Sequence, residues 1–300
     1  MSTSPISHPS VSDTDASLIF QPLSFNRTFF SRGMTGLAFV LSGLAILPLF
    51  SILFEVIKNG LPQLTLDTFT QLPAPAGMEG IPDGLGNCII GTLMMVFLAS
   101  LMSIPIGILA AIYLSEFGQG STIGSGIRFL ITVLSGVPSI VVGLFAYTVI
   151  VFTTKTFSGL AGSFALAIVM VPIITLSTLE ALKLVPTAQR LASSALGANR
   201  FQTTFKIVVS SALPVITTGT LLAISRAIGE TAPLIFTALF TINWPDGFFQ
   251  PTPSLSVMIY NYAASPFTEQ NAMAWTGALV LVFIVLCINI FSRLVLAKTR

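Results

Sequence analysis

Charged residues are scarce in this chain, and their scarcity decides its class. Asp, Glu, Lys and Arg make up 8% of the 300 residues, whereas a soluble domain usually has about 25%. Hydrophobic residues make up 53%, and the mean hydropathy is +0.91. This composition excludes an ordinary soluble domain and predicts an integral membrane protein.

Cysteine and histidine are almost absent. Cys88 and Cys287 lie in apolar segments and are too few for a disulfide framework, so we interpret them as small packing residues. The single histidine, His8, lies in the polar N-terminal segment. The sequence also lacks a G-x-x-x-x-G-K-[ST] motif for binding ATP. We therefore expect no metal site, no cofactor and no enzyme activity.

Long apolar runs are abundant instead. Six stretches reach about 20 residues, the length that spans a bilayer as a helix. Gly and Pro interrupt several of them, which is tolerated where neighbouring helices or a cavity satisfy the freed backbone groups. The pattern predicts an all-α membrane protein with six transmembrane helices, at residues 35–57, 87–114, 129–152, 161–179, 213–240 and 273–296.

Lysine and arginine are unevenly distributed between the predicted loops. With the N-terminus inside, the outer segments hold only Lys58 and Lys155, and Arg226 lies within a span. The positive-inside rule therefore predicts that both termini are cytoplasmic. The inner segments hold the other ten of the 13 basic residues: Arg27, Arg32, Arg128, Lys183, Arg190, Arg200, Lys206, Arg293, Lys298 and Arg300.

The polar segments outside the spans carry weaker signals. Residues 1–24 are rich in Ser, Thr, Pro and Asp and lack a secretory signal, so we predict a disordered cytoplasmic tail at 1–34. The first transmembrane helix and its outer loop occupy 35–84. The outer loops 59–86 and 244–270 contain several prolines. They either dock an extracytoplasmic partner or merely connect helices and carry interfacial aromatic residues.

Arg226 and Glu230 are the only charges within the predicted span 213–240. A charge in mid-bilayer costs about 2.5–3.5 kcal/mol and usually faces a polar pathway or a partner. Because a guanidinium offers paired donors to an oxyanion, this arginine is a candidate for a substrate pathway. The alternative is an ion pair that only fixes helix packing. Glu230 pairs either with Arg226 one turn away or with a basic residue of a partner subunit.

Hydroxyl side chains accompany this pair. Ser225 and Thr231 flank it, and Ser135 and Ser139 lie in the third predicted span. These side chains either line the pathway or hydrogen-bond to their own helices. Pro233 lacks an N–H and disfavours helix before it, so it predicts a kink that turns backbone donors toward the pathway.

Residues 180–212 form the most informative predicted cytoplasmic loop. Leu191, Ala195 and Leu196 share one face of a short amphipathic helix. The following Gly-Ala-Asn breaks this helix, and a second helical piece leads back to the membrane from Arg200. Such a helix either inserts into a groove on a partner or lies on the lipid surface.

The run RLASSALGANRFQTTFKIV, residues 190–208, resembles the cytoplasmic coupling loop of ABC importer membrane subunits. The usual pattern is E-A-A, three residues and Gly, which Ala192 and Gly197 match. Leu191 stands at the Glu position, so an ion pair from that Glu to an ATPase is not carried over. The usual terminal Leu-Pro comes four residues late, at Leu213.

Further stretches resemble the PstA-type permease of the phosphate ABC importer, and the chain is identified as a member of that family over about residues 85–295. The resemblance implies the fold of an ABC type I importer permease, with an ABC transmembrane type-1 domain at 85–296 and its coupling loop at 183–212. It also implies a bacterial plasma (inner) membrane location. The matching stretches are NCIIGTLMMVFLASLMSIPIGILAAIYLSEFG (87–118), LSGVPSIVVGLFAY (134–147), EALKLVPTAQRLASSALGA (180–198) and SRAIGETAPLIFTALF (225–240).

The resemblance implies a transmembrane permease subunit that forms half of a phosphate pathway and couples to a separate ATPase. The partners implied are a homologous second permease of the PstC type, a cytoplasmic ATPase dimer of the PstB type, an extracytoplasmic phosphate-binding protein of the PstS type, and membrane lipid. Nucleic acid is not expected. The pathway residues are then Arg226, Glu230, Ser225, Thr231 and Ser139, and the coupling residues are Arg190, Leu191, Ala192, Ala195, Gly197, Ala198, Arg200 and Phe201.

Three other functions compete with this one. The main alternative is the permease of another oxyanion ABC importer, for sulfate or molybdate. A gradient-driven transporter would often show paired broken helices in two symmetric halves, and the sequence shows one charged span instead. An intramembrane enzyme would need a nucleophile–base pair or a metal ligand set, and neither is visible.

Overall fold

The computed structural model describes residues 25–77 and 83–298, and the described residues form helices without any strand. Short helical turns at Leu61–Gln63 and Asp67–Thr70 precede the second long helix. Several of the helices include a π-helical turn. The helices are α1 (Phe25–Gly60), α2 (Gly86–Phe117), α3 (Thr122–Gly136), α4 (Ser139–Thr154), α5 (Gly159–Lys183), α6 (Thr187–Ala195), α7 (Arg200–Ile228), α8 (Ala232–Ile235), α9 (Leu255–Ala263) and α10 (Thr268–Lys298).

The chain divides into two units between Phe54 and Glu55. Most of α1 belongs to the first unit, and this helix is long and apolar enough to cross a membrane. It begins at Phe25, so residues 25–34 are helical and do not belong to the predicted disordered tail. Residues 1–24 of that predicted tail lie outside the described part of the chain.

Four further helices of spanning length, α2, α5, α7 and α10, belong to the second unit. The core between α2, α5 and α7 is closely packed. Gly107 of α2 leaves no room for a side chain, because an added Cβ would lie 2.8 Å from Ile174 of α5. Met95, Leu166 and Ala227 are buried in the same cluster, one from each helix. Small residues thus let the spans approach closely.

The two ends of this bundle differ in charge. One end carries Lys183, Arg190 and Arg200, and we call it the basic end. There Arg190 binds Glu116 at the end of α2. At the opposite end, which we call the far end, Asn87 at the start of α2 donates to the carbonyl of Asn243. The positive-inside rule predicts that the basic end is the cytoplasmic one.

The sixth crossing is a bent pair of helices. Both α2 and α5 run from the far end to the basic end, so the chain between them must return across the bundle. It does so through α3 and α4, whose axes differ by 109°. The predicted span at 129–152 thus consists of two helices and not of one. The helix stops at Val137, which is extended, because Pro138 has no N–H and disfavours helix at the preceding residue.

The fifth predicted span, 213–240, is also shifted. Helix α7 begins at Arg200, since the second helical piece of the loop runs without a break into the membrane helix. It ends at Ile228, twelve residues before the predicted end. Gly229 follows the helix, and Pro233 starts the short α8 near its first position, where a missing N–H is harmless. The predicted kink is thus a complete break.

The predicted outer loop 244–270 contains a helix that the sequence analysis missed. Ser254 caps α9, and its side chain accepts a hydrogen bond from the N–H of Val257. Met258 and Leu255 are completely buried in a cluster with α2 and α10. Nine residues of mixed apolar and polar character are too short to give a periodic signal of their own.

The two broken spans meet where α4 packs against α8. A Cβ added to Gly143 of α4 would lie 2.6 Å from the Cα of Pro233 in α8. Backbone atoms cannot move aside as a flexible side chain does. The absence of a side chain at Gly143 therefore allows the two interruptions to lie against each other.

We expect Gly143→Ala to destabilise the protein by about 1–3 kcal/mol, as overpacking does in closely packed cores. Gly126→Ala in α3 is the matched control, because an added Cβ there meets nothing within 4 Å and alanine favours helix. Thermal unfolding in detergent should show a lower Tm for Gly143→Ala alone. Equal Tm values for the two variants would contradict the close contact.

Candidate functional site

Arg226 lies in the last turn of α7, at the level of the middle of the neighbouring spans. Its neighbour Ala227 is buried against the core cluster that includes Met95 of α2 and Met170 of α5. Met170 is close to the middle of α5, which begins at Gly159 and ends at Lys183. Arg226 therefore lies near the middle of the neighbouring spans along their length, beside a break in its own helix.

Arg226 and Glu230 form an ion pair across this break. Nε of Arg226 lies 3.2 Å from Oε1 of Glu230, as predicted for residues one turn apart. The Glu230 side chain is 14% exposed, but that of Arg226 is 62% exposed. Among the described residues, the two terminal nitrogens of Arg226 have no hydrogen-bond partner. The guanidinium thus has two donor nitrogens that no described residue uses.

Two residues outside the predicted site hold this break in place. Ser256 of α9 donates a hydrogen bond of 2.8 Å from its Oγ to the carbonyl of Glu230. Asn289 of α10 donates one of 3.0 Å to Oγ of Ser225. An asparagine inside a span is itself a signal, because polar groups in membranes are costly unless they are partnered. Ser256 carries no such signal, since its helix was not predicted.

The predicted hydroxyl residues have different surroundings. Ser225 bonds to a neighbouring helix rather than to its own backbone. Thr231 caps α8 through its backbone carbonyl, which accepts from Leu234 and Ile235. Ser135 donates to the carbonyl of Thr132 in its own helix, which fits the packing alternative.

Ser139 starts α4 one turn before Gly143, on the face that meets α8. The structure thus brings Ser225, Arg226, Glu230 and Thr231 to one break and places Ser139 on the helix that packs against it. Their part in a substrate pathway stays a prediction.

The loop at the basic end has the predicted helix–turn–helix shape. The amphipathic helix is α6, and Gly197 follows it with a φ of +82°, which glycine adopts without strain. Asn199 then caps α7 in a capping box with Gln202: each side chain accepts from the other residue's N–H. The chain therefore turns sharply at residues 196–199, with both helix ends satisfied.

The outward face of this loop is apolar. Leu191 is 70% exposed and Leu196 is 90% exposed. Phe201 is also exposed and stacks against Phe205, with ring centroids 4.4 Å apart. Exposed apolar residues grouped on a projecting loop mark an interaction surface rather than a solvated one. Ala192, Ala195 and Ala198 complete the predicted set on α6 and its turn.

Arg190 has a different role from the rest of that set. It faces inward and binds Glu116, with Nη2 2.9 Å from Oε1. Glu116 was not among the predicted site residues, because it follows the predicted end of the second span at residue 114 and no local pattern links it to the loop. A carboxylate beside a predicted helix end, opposite a basic loop, is the signal that would have identified it.

Metal binding has no support in the described residues, which contain no cluster of three or more His, Cys, Asp or Glu side chains. The site therefore offers fixed positive charge, hydroxyls and backbone groups. Such a set can bind and release an anion but provides no nucleophile with an adjacent base.

Comparison with known sequences identifies the family to which this chain belongs. Residues 103–300 match the binding-protein-dependent transport system inner membrane component family. The phosphate transport system permease protein PstA of Haemophilus influenzae is 43% identical over 263 residues, which cover 87% of this chain and 92% of that protein. The protein of the same name from Yersinia pestis is 40% identical over 249 residues, covering 83% and 84%.

Solved structures share the fold. A chain of the inward-facing MetNI methionine ABC transporter has a TM-score of 0.61 at 20% identity and covers 72% of this chain and 96% of its own length. A chain of the bacterial alginate ABC transporter, solved with its pentasaccharide-bound periplasmic protein, also has a TM-score of 0.61, at 14% identity, covering 88% and 94%. The predicted all-α fold of an ABC importer permease is confirmed.

We expect Gly197→Val to strain the turn after α6. A left-handed residue with a branched side chain costs about 1–2 kcal/mol, so the loop should open more often and trypsin should cut after Arg200 about tenfold faster. Ala198→Val is the control, because Ala198 is not among the residues with positive φ. Timed digestion in detergent measures both rates. Equal rates would show that Gly197 does not hold the turn.

Proposed function

Because the chain belongs to the binding-protein-dependent transport system inner membrane component family, and within it to the PstA-type phosphate permeases, we propose that it is a transmembrane subunit of an ATP-driven phosphate importer. It is a membrane component of a transport system and not an enzyme. Identities of 40% and more over most of both chains support phosphate as the substrate. The relatives do not favour the sulfate or molybdate alternative.

The observation that carries the proposal is the exposed guanidinium of Arg226 at the break between α7 and α8. Phosphate has one or two negative charges and must exchange hydration water for protein donors as it crosses. The two terminal nitrogens of Arg226, which no described residue accepts from, can donate in parallel to two phosphate oxygens. Glu230 holds Nε of the same guanidinium, so the side chain is oriented before the substrate arrives.

Glu230 also limits how strongly the anion is held. Its carboxylate lies 3.2 Å from Nε of Arg226 and neutralises part of the positive charge. A pathway needs binding that is strong enough to admit the ion and weak enough to release it. An arginine paired with a carboxylate meets that requirement better than an isolated arginine.

The loop at the basic end is the proposed contact with the ATPase. Its exposed apolar residues, Leu191, Leu196 and Phe201, lie on α6 and the start of α7. Insertion of this projection into a groove of a cytoplasmic ATPase dimer would bury them. Because α7 is continuous from Arg200 to Ile228, displacement of the loop is passed along one helix to the turn that carries Arg226.

The remaining partners follow from the same assignment. A second, homologous permease subunit supplies the other half of the pathway and faces Arg226. An extracytoplasmic phosphate-binding protein delivers the ion to the far end, where the loop 244–270 includes α9. The location is the bacterial inner membrane, with both chain termini on the cytoplasmic side.

We expect Arg226→Gln to lower phosphate uptake about 10- to 100-fold, because a hydrogen bond to a charged group contributes about 1.5–3 kcal/mol. Arg226→Lys should give an intermediate rate, since it keeps the charge without the paired donors. Uptake of radiolabelled phosphate by cells that lack the native subunit measures this, with membrane levels checked by immunoblot.

The matched control is Arg128→Gln, which removes an exposed arginine of α3 away from the break. This variant should transport at the wild-type rate. Wild-type uptake by Arg226→Gln would refute the pathway role of the arginine. Competition of uptake by sulfate or molybdate, but not by arsenate, would favour the alternative substrate class, since arsenate shares the charge and shape of phosphate.

A further inference from the structure

The carboxylate of Glu116 is the point where three segments of the basic end meet. It lies in the π-helical last turn of α2, Tyr113–Phe117. Arg190 of α6 binds it with two nitrogens, Nη2 at 2.9 Å from Oε1 and Nε at 3.4 Å from Oε2. Arg200, the first residue of α7, donates to the backbone carbonyl of Glu116. Both arms of the loop are therefore attached to the end of α2.

Arg190 extends this attachment to α5. Its Nη1 donates to the carbonyl of Val185 at 2.6 Å, and its Nη2 donates to that of Leu182 at 3.0 Å. Leu182 lies in the last turn of α5 and Val185 just beyond its end, where carbonyls lack the usual helical partners. The carbonyl of Leu182 also accepts from the N–H of Val185. One guanidinium thus joins α2, α5 and α6.

The pair is placed where an ion pair matters energetically. The side chains of Arg190 and Glu116 are 24% and 11% exposed. Removing one member leaves the other charge buried without a partner, which is far more costly than losing a surface pair. The Glu180–Lys183 pair of α5 is a contrast, with the same 2.8–2.9 Å geometry but side chains 68% and 51% exposed. Such exposed pairs contribute little.

Space beside the pair allows the loop to move. A cavity of about 560 Å³ lies at the basic end and is lined by Glu116, Arg190, Arg200, Gln119 and Ser194 among others. Apolar packing at this end joins α2, α5 and α7 and includes no residue of α6. The ion pair is therefore what connects α6 to α2.

We propose that Glu116 is a positioning residue that transmits movement of α6 to α2. The inference rests on the proposed function, in which an ATPase moves α6. Movement of α2 then reaches the pathway directly, because Met95, Val96 and Ala99 of α2 pack in the same cluster as Ala223 and Ala227 beside Arg226. Helix α7 carries the movement along one route, and α2 through Glu116 carries it along a second.

The test uses the complete transporter in liposomes, with both permeases, the ATPase and the binding protein. We expect Glu116→Gln to lower the number of phosphate ions carried per ATP on the order of tenfold, as positions that modulate coupling do. Glu180→Gln is the matched control and should keep the wild-type ratio. In a double-mutant cycle, Glu116→Gln with Arg190→Gln should be no worse than the more impaired single variant.

Two fluorescent reporters separate coupling from simple loss of structure. With Cys88 and Cys287 replaced by alanine, one dye is attached at Ala188→Cys, an exposed position of α6, and another at Thr122→Cys next to the end of α2. Adding ATP should change both signals in the wild type. In Glu116→Gln, the Ala188 signal should persist and the Thr122 signal should be lost.

Each other result has a defined meaning. An unchanged phosphate-to-ATP ratio with both signals intact in Glu116→Gln would overturn the proposal. Loss of the Ala188 signal as well would also overturn it, because Glu116 would then only fold the loop. A wild-type protein that moves both reporters on adding ATP, loses only the Thr122 signal in Glu116→Gln, and carries no phosphate would support Glu116 while refuting the phosphate assignment.

Discussion

The contact between Gly143 and Pro233 determines most of the central architecture. It brings together two spans that are each interrupted in the membrane, one at Val137 and Pro138 and the other after Ile228. Interrupted backbone at membrane depth is stable only inside protein or beside a wet cavity. By packing the interruptions against each other, the fold keeps Arg226 beside a break that lies between the ends of the spans.

The sequence predicted the spans formed by continuous helices better than the interrupted ones. Residues 87–114 and 161–179 lie within α2 and α5, because uniform apolar length is enough to define such helices. The third and fifth spans were read as single helices. Hydropathy measures how apolar a segment is but not the direction of its helix axis. It therefore does not distinguish a small kink at Pro138 or Pro233 from a complete break, such as the turn of 109° between α3 and α4.

The loop at the basic end shows the other limit of sequence reasoning. Glycine and asparagine at 197 and 199 identify the turn, because each has a specific backbone or capping role. The partner of Arg190 was not identified, since Glu116 is 74 residues away and only the fold brings them together. Asn289 and Ser256 belong to the same class: pairings between distant segments depend on helix packing, which local pattern does not encode.

Arg190 also constrains how this chain can vary over time. Its planar fork contacts one carboxylate and two carbonyls in different directions. Lysine has a single nitrogen and cannot reach all of these acceptors at once, and no other side chain combines the charge with the fork. The exposed residues around it can be substituted, provided that the partner surface they contact changes with them. At position 190 itself, no other amino acid would preserve all of these contacts.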